Sequence, residues 1–125
     1  MKNNNMSFIS RTGETIEKPW GWEFIVEHNE HYTVKILHVN AGHRMSLQYH
    51  NEKTETAYVL KGSMRNWKSE DDSDFDVYMA GTSLHIAPGQ IHRFGATQAY
   101  DVEILECSRS MLNDVERLAD DYSRN

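Results

Sequence analysis

Between Trp22 and Cys107 short runs rich in β-branched and aromatic residues alternate with polar turn formers. The runs cover Trp22 to Val26, Tyr32 to Val39, Met45 to His50, Thr56 to Leu60, Ser63 to Trp67, Phe75 to Met79, Ser83 to Ile86 and Tyr100 to Cys107. Regularly spaced short strands predict an all-β protein. Ala41-Gly42, Lys61-Gly62, Ala80-Gly81 and Pro88-Gly89 supply the turns. With so little helix to cover sheet edges, closure into a barrel or jelly roll is the expected way to remove them. In the tail, Met111, Val115, Leu118 and Tyr122 fall at i, i+4, i+7 and i+11, which fits a short helix lying on the barrel. An extended tail packing the same side chains fits too. Residues 1–17 read as a flexible lead-in and 18–125 as a single domain.

Composition narrows the partners. The 125 residues suffice for one core without disulfide staples, and the lone Cys107, in an apolar run, reads as a buried, inert thiol. A reducing, cytoplasmic setting follows as the expectation. No signal peptide or membrane span is expected. The formal net charge is −6 and the basic residues are scattered, which disfavours nucleic acid and anionic membranes as partners. The acidic run Glu70-Asp71-Asp72-Ser73-Asp74 lacks the glycine and distal glutamate of a calcium loop and reads as a solvated hairpin turn.

Seven histidines direct attention to metal-ligand spacing. Gln48 and His50 are two apart in one strand, so the pleat aims both at the same face. A tight hairpin over Asn51 to Thr54 would return Glu55 beside them, and a neighbouring strand would add His92. Two nitrogens and two oxygens suit one divalent ion such as Zn, Mn, Fe(II), Co or Ni. His28, His31, His38, His43 and His85 lack paired spacing; of these, His43 and His85 are the best placed to approach the barrel mouth. Trp20 and Trp22 read as packing aromatics.

The joint pattern Gly42-x5-Gln48-x-His50-x4-Glu55-x6-Gly62, then Gly81 and Pro88-Gly89-x2-His92, resembles the two motifs of the cupins. It departs from them at Gln48, where histidine is usual, and at Pro88, which directly precedes Gly89. Lys18-Pro19-Trp20-Gly21-Trp22-Glu23, Tyr32-Thr33-Val34-Lys35, Ser46-Leu47-Gln48-Tyr49-His50 and Asp114-Val115-x-Arg117-Leu118-x-Asp120-x-Tyr122-x-Arg124 resemble the cupin domain of type II mannose-6-phosphate isomerases over residues 18 to 124. Gln48 is typical of that branch. There the domain commonly follows a guanylyltransferase domain, of which nothing is expected within residues 1–125.

The resemblance implies a double-stranded β-helix (jelly-roll) barrel, often dimeric, that binds a sugar or sugar phosphate and interconverts a phosphorylated aldose and ketose. In those isomerases the ligand loop reads His-His-His-Arg-x-Glu-His-Trp; here it is His50-Asn51-Glu52-Lys53-Thr54-Glu55-Thr56-Ala57. Lys53 keeps the positive charge of the arginine without its forked donors. Glu52, Lys53 and hydroxide on the ion are candidates for the proton-shuttling base, and Arg44, Lys53 and Arg93, with Lys18 behind them, for substrate contacts. A metal-dependent oxygenase and a non-catalytic sugar-binding or regulatory cupin are the alternatives.

Overall fold

A computed structural model describes residues 12–110 and 113–124. Eleven strands follow one another: β1 (Thr15–Lys18), β2 (Gly21–His28), β3 (Thr33–Val39), β4 (Leu47–Tyr49), β5 (Glu55–Lys61), β6 (Ser63–Trp67), β7 (Phe75–Met79), β8 (Ser83–Ile86), β9 (Arg93–Gly95), β10 (Val102–Ser108) and β11 (Glu116–Ala119). Residues 12–17, expected to be a flexible lead-in, instead form a turn and most of β1, which pairs with β2 across the two-residue turn Pro19-Trp20. The remaining residues of that expected segment lie outside the described ones.

One sheet has the order β1-β2-β3-β10-β5-β8; the other side is built from β7-β6-β9 and β11-β4. The bridges Arg44↔Gly95 and Gln48↔His92 join those two pieces, so the molecule is two facing antiparallel sheets closed into a jelly roll. The tail is extended: Glu116–Ala119 pairs with β4, and Leu118 is exposed, so its spacing with Val115 and Tyr122 makes no helical stripe. Met111 lies outside the described residues. No helix among the described residues is long and apolar enough to cross a membrane.

Inside the barrel the inward positions change character at one level. Val39 and Leu37 on β3, Val102 and Ile104 on β10, and Val59 and Ala57 on β5 join Trp20, Met64, Ile86 and Phe94 in an apolar plug. Farther along the same strands the inward residues are Lys35, Glu106 and Glu55. The register places Glu106 opposite both Lys35 and Ala57, and Glu55 opposite Ser108. The expected thiol burial is not found: Cys107 points outward from β10 and is exposed, because inward parity on that strand belongs to Glu106 and Ser108. The acidic run is the solvated β6–β7 turn, with Trp67 Nε1 donating to the Asp72 carbonyl at 2.9 Å.

Gly21 is indispensable to the β1–β2 corner. Its φ is +153°, and a Cβ there would stand 1.9 Å from the His38 carbonyl oxygen. Backbone, not a flexible side chain, blocks the space, so Gly21→Ala should destabilise the fold by about 2 kcal/mol or more in denaturant titration. A midpoint equal to the parent's would contradict this packing.

Candidate metal centre

His50, Glu55 and His92 come from three different segments and meet inside the barrel. His50 follows β4, Glu55 opens β5, and His92 precedes β9. Their relative exposures are only 2 %, 2 % and 1 %. His50 Nε2 lies 3.2 Å from Glu55 Oε1, and His92 Nε2 lies 3.7 Å from Glu55 Oε2. One potential ligand atom from each residue falls within 4.8 Å of the others.

Hydrogen bonds orient the rings. His50 Nδ1 donates to the Asp114 carbonyl at 2.5 Å, and His92 Nδ1 donates to the Gln90 carbonyl at 3.0 Å. A carbonyl only accepts, so each ring carries a proton on Nδ1 and turns Nε2 toward the centre, where that nitrogen can bind an ion when it holds no proton of its own. Both Nε2 atoms and both Glu55 oxygens are buried without a hydrogen-bond partner. Leaving such atoms unsatisfied costs on the order of 1–3 kcal/mol each. Imidazole nitrogens tethered through the opposite ring atom, beside a carboxylate, are a donor set that fits a divalent ion of the zinc, manganese or iron(II) type.

The segment joining His50 to Glu55 is not the expected hairpin. β4 and β5 belong to opposite sheets, and residues 51–54 cross between them. Asp114 holds this crossing: its carboxylate accepts the backbone N–H groups of Asn51, Glu52 and Lys53, each at 2.9 Å. Those donors hold its pKa well below the usual carboxylate range. Sequence reasoning missed Asp114, whose only signal was its place in the tail motif.

Gln48 exchanges two 2.9 Å backbone hydrogen bonds with His92, which puts the two side chains on one face. Its Oε1 accepts from Ser46 Oγ at 2.6 Å, and it lines the cavity together with His50. Lys53 is buried, with Nζ 3.7 Å from Glu55 Oε1. Burial alone would raise the Glu55 pKa, but the His50 ring, Glu106 and the Lys53 charge outweigh it and bring it down to about 2. Glu106 goes the other way: burial, then the Glu55 charge, pushes it up to about 8. Burial also lowers His92.

The cavity, about 190 Å³, is lined by Gln48, His50, Lys53 and Glu106 and by further cations: Lys18, Lys35, Arg117 and Arg124. Lys35 pairs with Glu23 at 3.5 Å, and Arg124 with Asp120 at 2.9 Å. Arg117 Nε is buried without a partner. Glu106, Arg117 and Arg124 had no role in the sequence reading.

Three expected site residues lie elsewhere. Arg44 stacks on Trp67 and binds Asp121 at 2.7 Å and Asp72 at 2.9 Å. Arg93 is buried, donating to the Met45 carbonyl at 2.9 Å and to Asp121 at 3.1 Å. Arg93 has the opposite parity to His92, and Arg44, bridged to Gly95 one residue out of register with the Gln48–His92 bridge, falls on the same side as Arg93. Glu52 faces solvent because Asp114 turns its backbone inward. His43 bonds Tyr122 and His85 is exposed on the outer sheet, so neither reaches the cavity.

A closed jelly roll with an inward His-Glu-His cluster is the cupin architecture. Its fold matches a cupin-like protein from Thermotoga maritima with a TM-score of 0.69 and 16 % identity, over 79 % of this chain and 76 % of that one. The chain belongs to the family described as mannose-6-phosphate isomerase C-terminal, whose profile matches residues 5–120. It is 32 % identical over 112 residues to the alginate biosynthesis protein AlgA of Pseudomonas aeruginosa, covering 87 % of this chain and 23 % of that protein. With the mannose-1-phosphate guanylyltransferase of Escherichia coli it shares 28 % identity over 117 residues, 91 % of this chain and 24 % of the relative. The chain thus spans about a quarter of the length of these curated relatives.

Two measurements test the site. His92→Ala should cost at least about 100-fold in zinc affinity, and Asp114→Ala, which touches no ion, roughly 10-fold by releasing the crossing. Competition titration with a chromophoric chelator reads both; parent-like affinity in Asp114→Ala would reject the clamp. In metal-free protein the raised Glu106 pKa means that the folded state holds a proton that the unfolded state has lost between pH 4.5 and about 8. Glu106 therefore makes stability fall as pH rises through that window, and Glu106→Gln should flatten this part of the pH–Tm profile. Glu55, lowered to about 2, acts oppositely below pH 4.5, where its contribution is lost on acidification.

Proposed function

We propose that this chain is a metal-dependent aldose–ketose isomerase for a phosphorylated hexose. The observation that carries this reading is that one cavity joins the His50 side of the metal centre to Lys18, Lys53 and Arg117. Its volume of about 190 Å³ exceeds the ~150 Å³ that admits a benzene ring, a scale suited to a monosaccharide whose phosphate reaches toward the opening.

His50, Glu55 and His92 would hold the ion, with the Gln48 oxygen as a fourth ligand. When bound, the ion supplies positive charge to the substrate oxygens at C1 and C2 as negative charge develops on them. Arg117 and Lys18 bind the phosphate, Arg117 through its unpartnered Nε–H. Burial lowers the Lys18 pKa, a sign of the partly desolvated setting in which its charge attracts an anion most strongly. Glu106 replaces Glu52 as the group that moves the proton: it lines the cavity, and Glu23, the other lining carboxylate, is paired with Lys35. Its carboxylate takes the proton from C2 and returns it to C1, and a pKa near 8 serves both directions close to neutrality. Lys53 holds the charge of Glu55 and faces the substrate from the same wall. That neutralising contact also favours a second reading, a sugar-phosphate-binding module without turnover.

The test is conversion of mannose 6-phosphate to fructose 6-phosphate by protein loaded with Zn, Mn, Co, Ni or Fe(II) in turn. Turnover that a chelator removes is expected. Arg117→Ala should raise KM about 5- to 100-fold with the metal retained, the effect of losing one charge-assisted hydrogen bond. Metal and substrate binding without turnover in any loaded form would overturn the isomerase and leave the binding module.

A further inference from the structure

The outer face of the three-stranded sheet carries a second polar pocket. Arg44 and Arg65 both pair with Gly95, one on each side of it, so the two arginines share that face with the glycine between them. Trp67, two residues along β6 from Arg65, has the same parity. The missing side chain at Gly95 gives these residues their room: a Cβ there would stand 2.6 Å from Arg44 Cβ and 2.8 Å from Trp67 Cζ3. Arg44, Arg65 and Trp67 border a cavity of about 320 Å³ together with His43, Gln98 and Asp121. None of its lining residues lines the cavity beside the metal centre.

The arginines on this face are not equivalent. Arg44 is neutralised by Asp121 at 2.7 Å and Asp72 at 2.9 Å, and Arg93 shares Asp121 at 3.1 Å. Arg65 has no ion-pair partner among the described residues. Its guanidinium lies over the Phe75 ring, 4.7 Å from the centroid, and its Nε–H is buried without an acceptor. The guanidinium groups of Arg44, Arg65 and Arg93 thus face two carboxylates, and the surplus charge is that of Arg65. A buried charged donor without an acceptor is costly to a fold, and an acceptor delivered by a ligand removes that cost.

We propose that this pocket binds the carboxylate of a small hydroxylated acid, with Arg65 as its counter-ion. The Nε–H and a neighbouring Nη–H of a guanidinium form a planar fork that matches the two oxygens of a carboxylate. One surplus positive charge suits a monoanion. A doubly charged phosphate would be left half-neutralised, with Asp72 and Asp121 in the same wall. The volume is about twice the ~150 Å³ that admits a benzene ring, which leaves room beyond the carboxylate for a body of monosaccharide size. Gln98 and His43 offer hydrogen-bonding groups to the hydroxyls of that body. His43 Nδ1 is bonded to the Tyr122 hydroxyl at 2.8 Å, which leaves its Nε2, and the Gln98 amide lies beside Gly42 in the cavity wall.

NMR titration of the isotope-labelled full chain near neutral pH tests this, read at the assigned side-chain Nε–H signals of Arg65 and Arg117. D-Glucuronate should shift the Arg65 signal saturably with a Kd of about 1 mM, the scale of one charge-assisted fork and a few bonds to hydroxyls. Glucose, which has only the hydroxyls, and acetate, which has only the carboxylate, should each bind at least about tenfold more weakly, and inorganic phosphate no more tightly than acetate. Arg65→Lys keeps the charge but loses the fork, so it should weaken glucuronate about tenfold while zinc affinity stays at the parent value. The parent titrations decide by themselves should that variant fail to fold. No saturable shift at Arg65, acetate or phosphate binding as tightly as glucuronate, parent affinity in Arg65→Lys, or a glucuronate response confined to Arg117 would each overturn the proposal.

Discussion

The site depends on keeping Glu55 ionised inside the barrel. A buried carboxylate ordinarily takes up a proton, and an unpaired one costs several kcal/mol. Here Lys53 and two imidazoles surround it, and the pKa falls where burial alone would raise it. Every nearby element serves that arrangement. The Gln48–His92 bridge sets the height of one ring, the Asp114 carbonyl sets the azimuth of the other, and the residue 51–54 crossing brings Lys53 inward. Glu106 is the counterpart: beside one stabilised anion, a second carboxyl in the same cavity is held protonated. Two carboxyl groups thus acquire opposite behaviour from one environment, a division that acid–base chemistry requires.

Much of this was legible in the sequence, for identifiable reasons. Gln48 and His50 share a face because strand parity is rigid, and the Gly and Pro punctuation marked the turns after β3, β5, β7 and β8. The inward charges were harder to see. In β3, Thr33, Lys35, Leu37 and Val39 face in, while Val34, Ile36 and His38 face out. Apolar residues on both faces erase the alternation that normally separates core from solvent, so nothing set Lys35 and Glu106 apart as inward residues. Arg44 and Arg93 misled for the opposite reason: proximity in sequence to ligands was read as proximity to the cavity. Arg93 by its parity, and Arg44 by the register shift that pairs it with Gly95, both turn to Asp121.

The tail shows how weak a periodicity argument becomes over a short segment. Four apolar positions at helical spacing also fit an extended chain, and the pairing energy of β11 with β4 decided the outcome. The extended form delivers Arg117 to the cavity and Asp114 to the crossing. It also brings Asp120 to hold Arg124 at the cavity wall.

The Asp114 clamp has a consequence for the order of events during biosynthesis. His50 and the carbonyl that orients it are 64 positions apart. At about 5–20 residues per second, the first histidine leaves the ribosome roughly 3 to 13 seconds before its partner. During that interval Glu55 and then His92 emerge, but neither the tethered ring nor the braced crossing exists, so the arrangement of the three side chains is completed only when the tail docks.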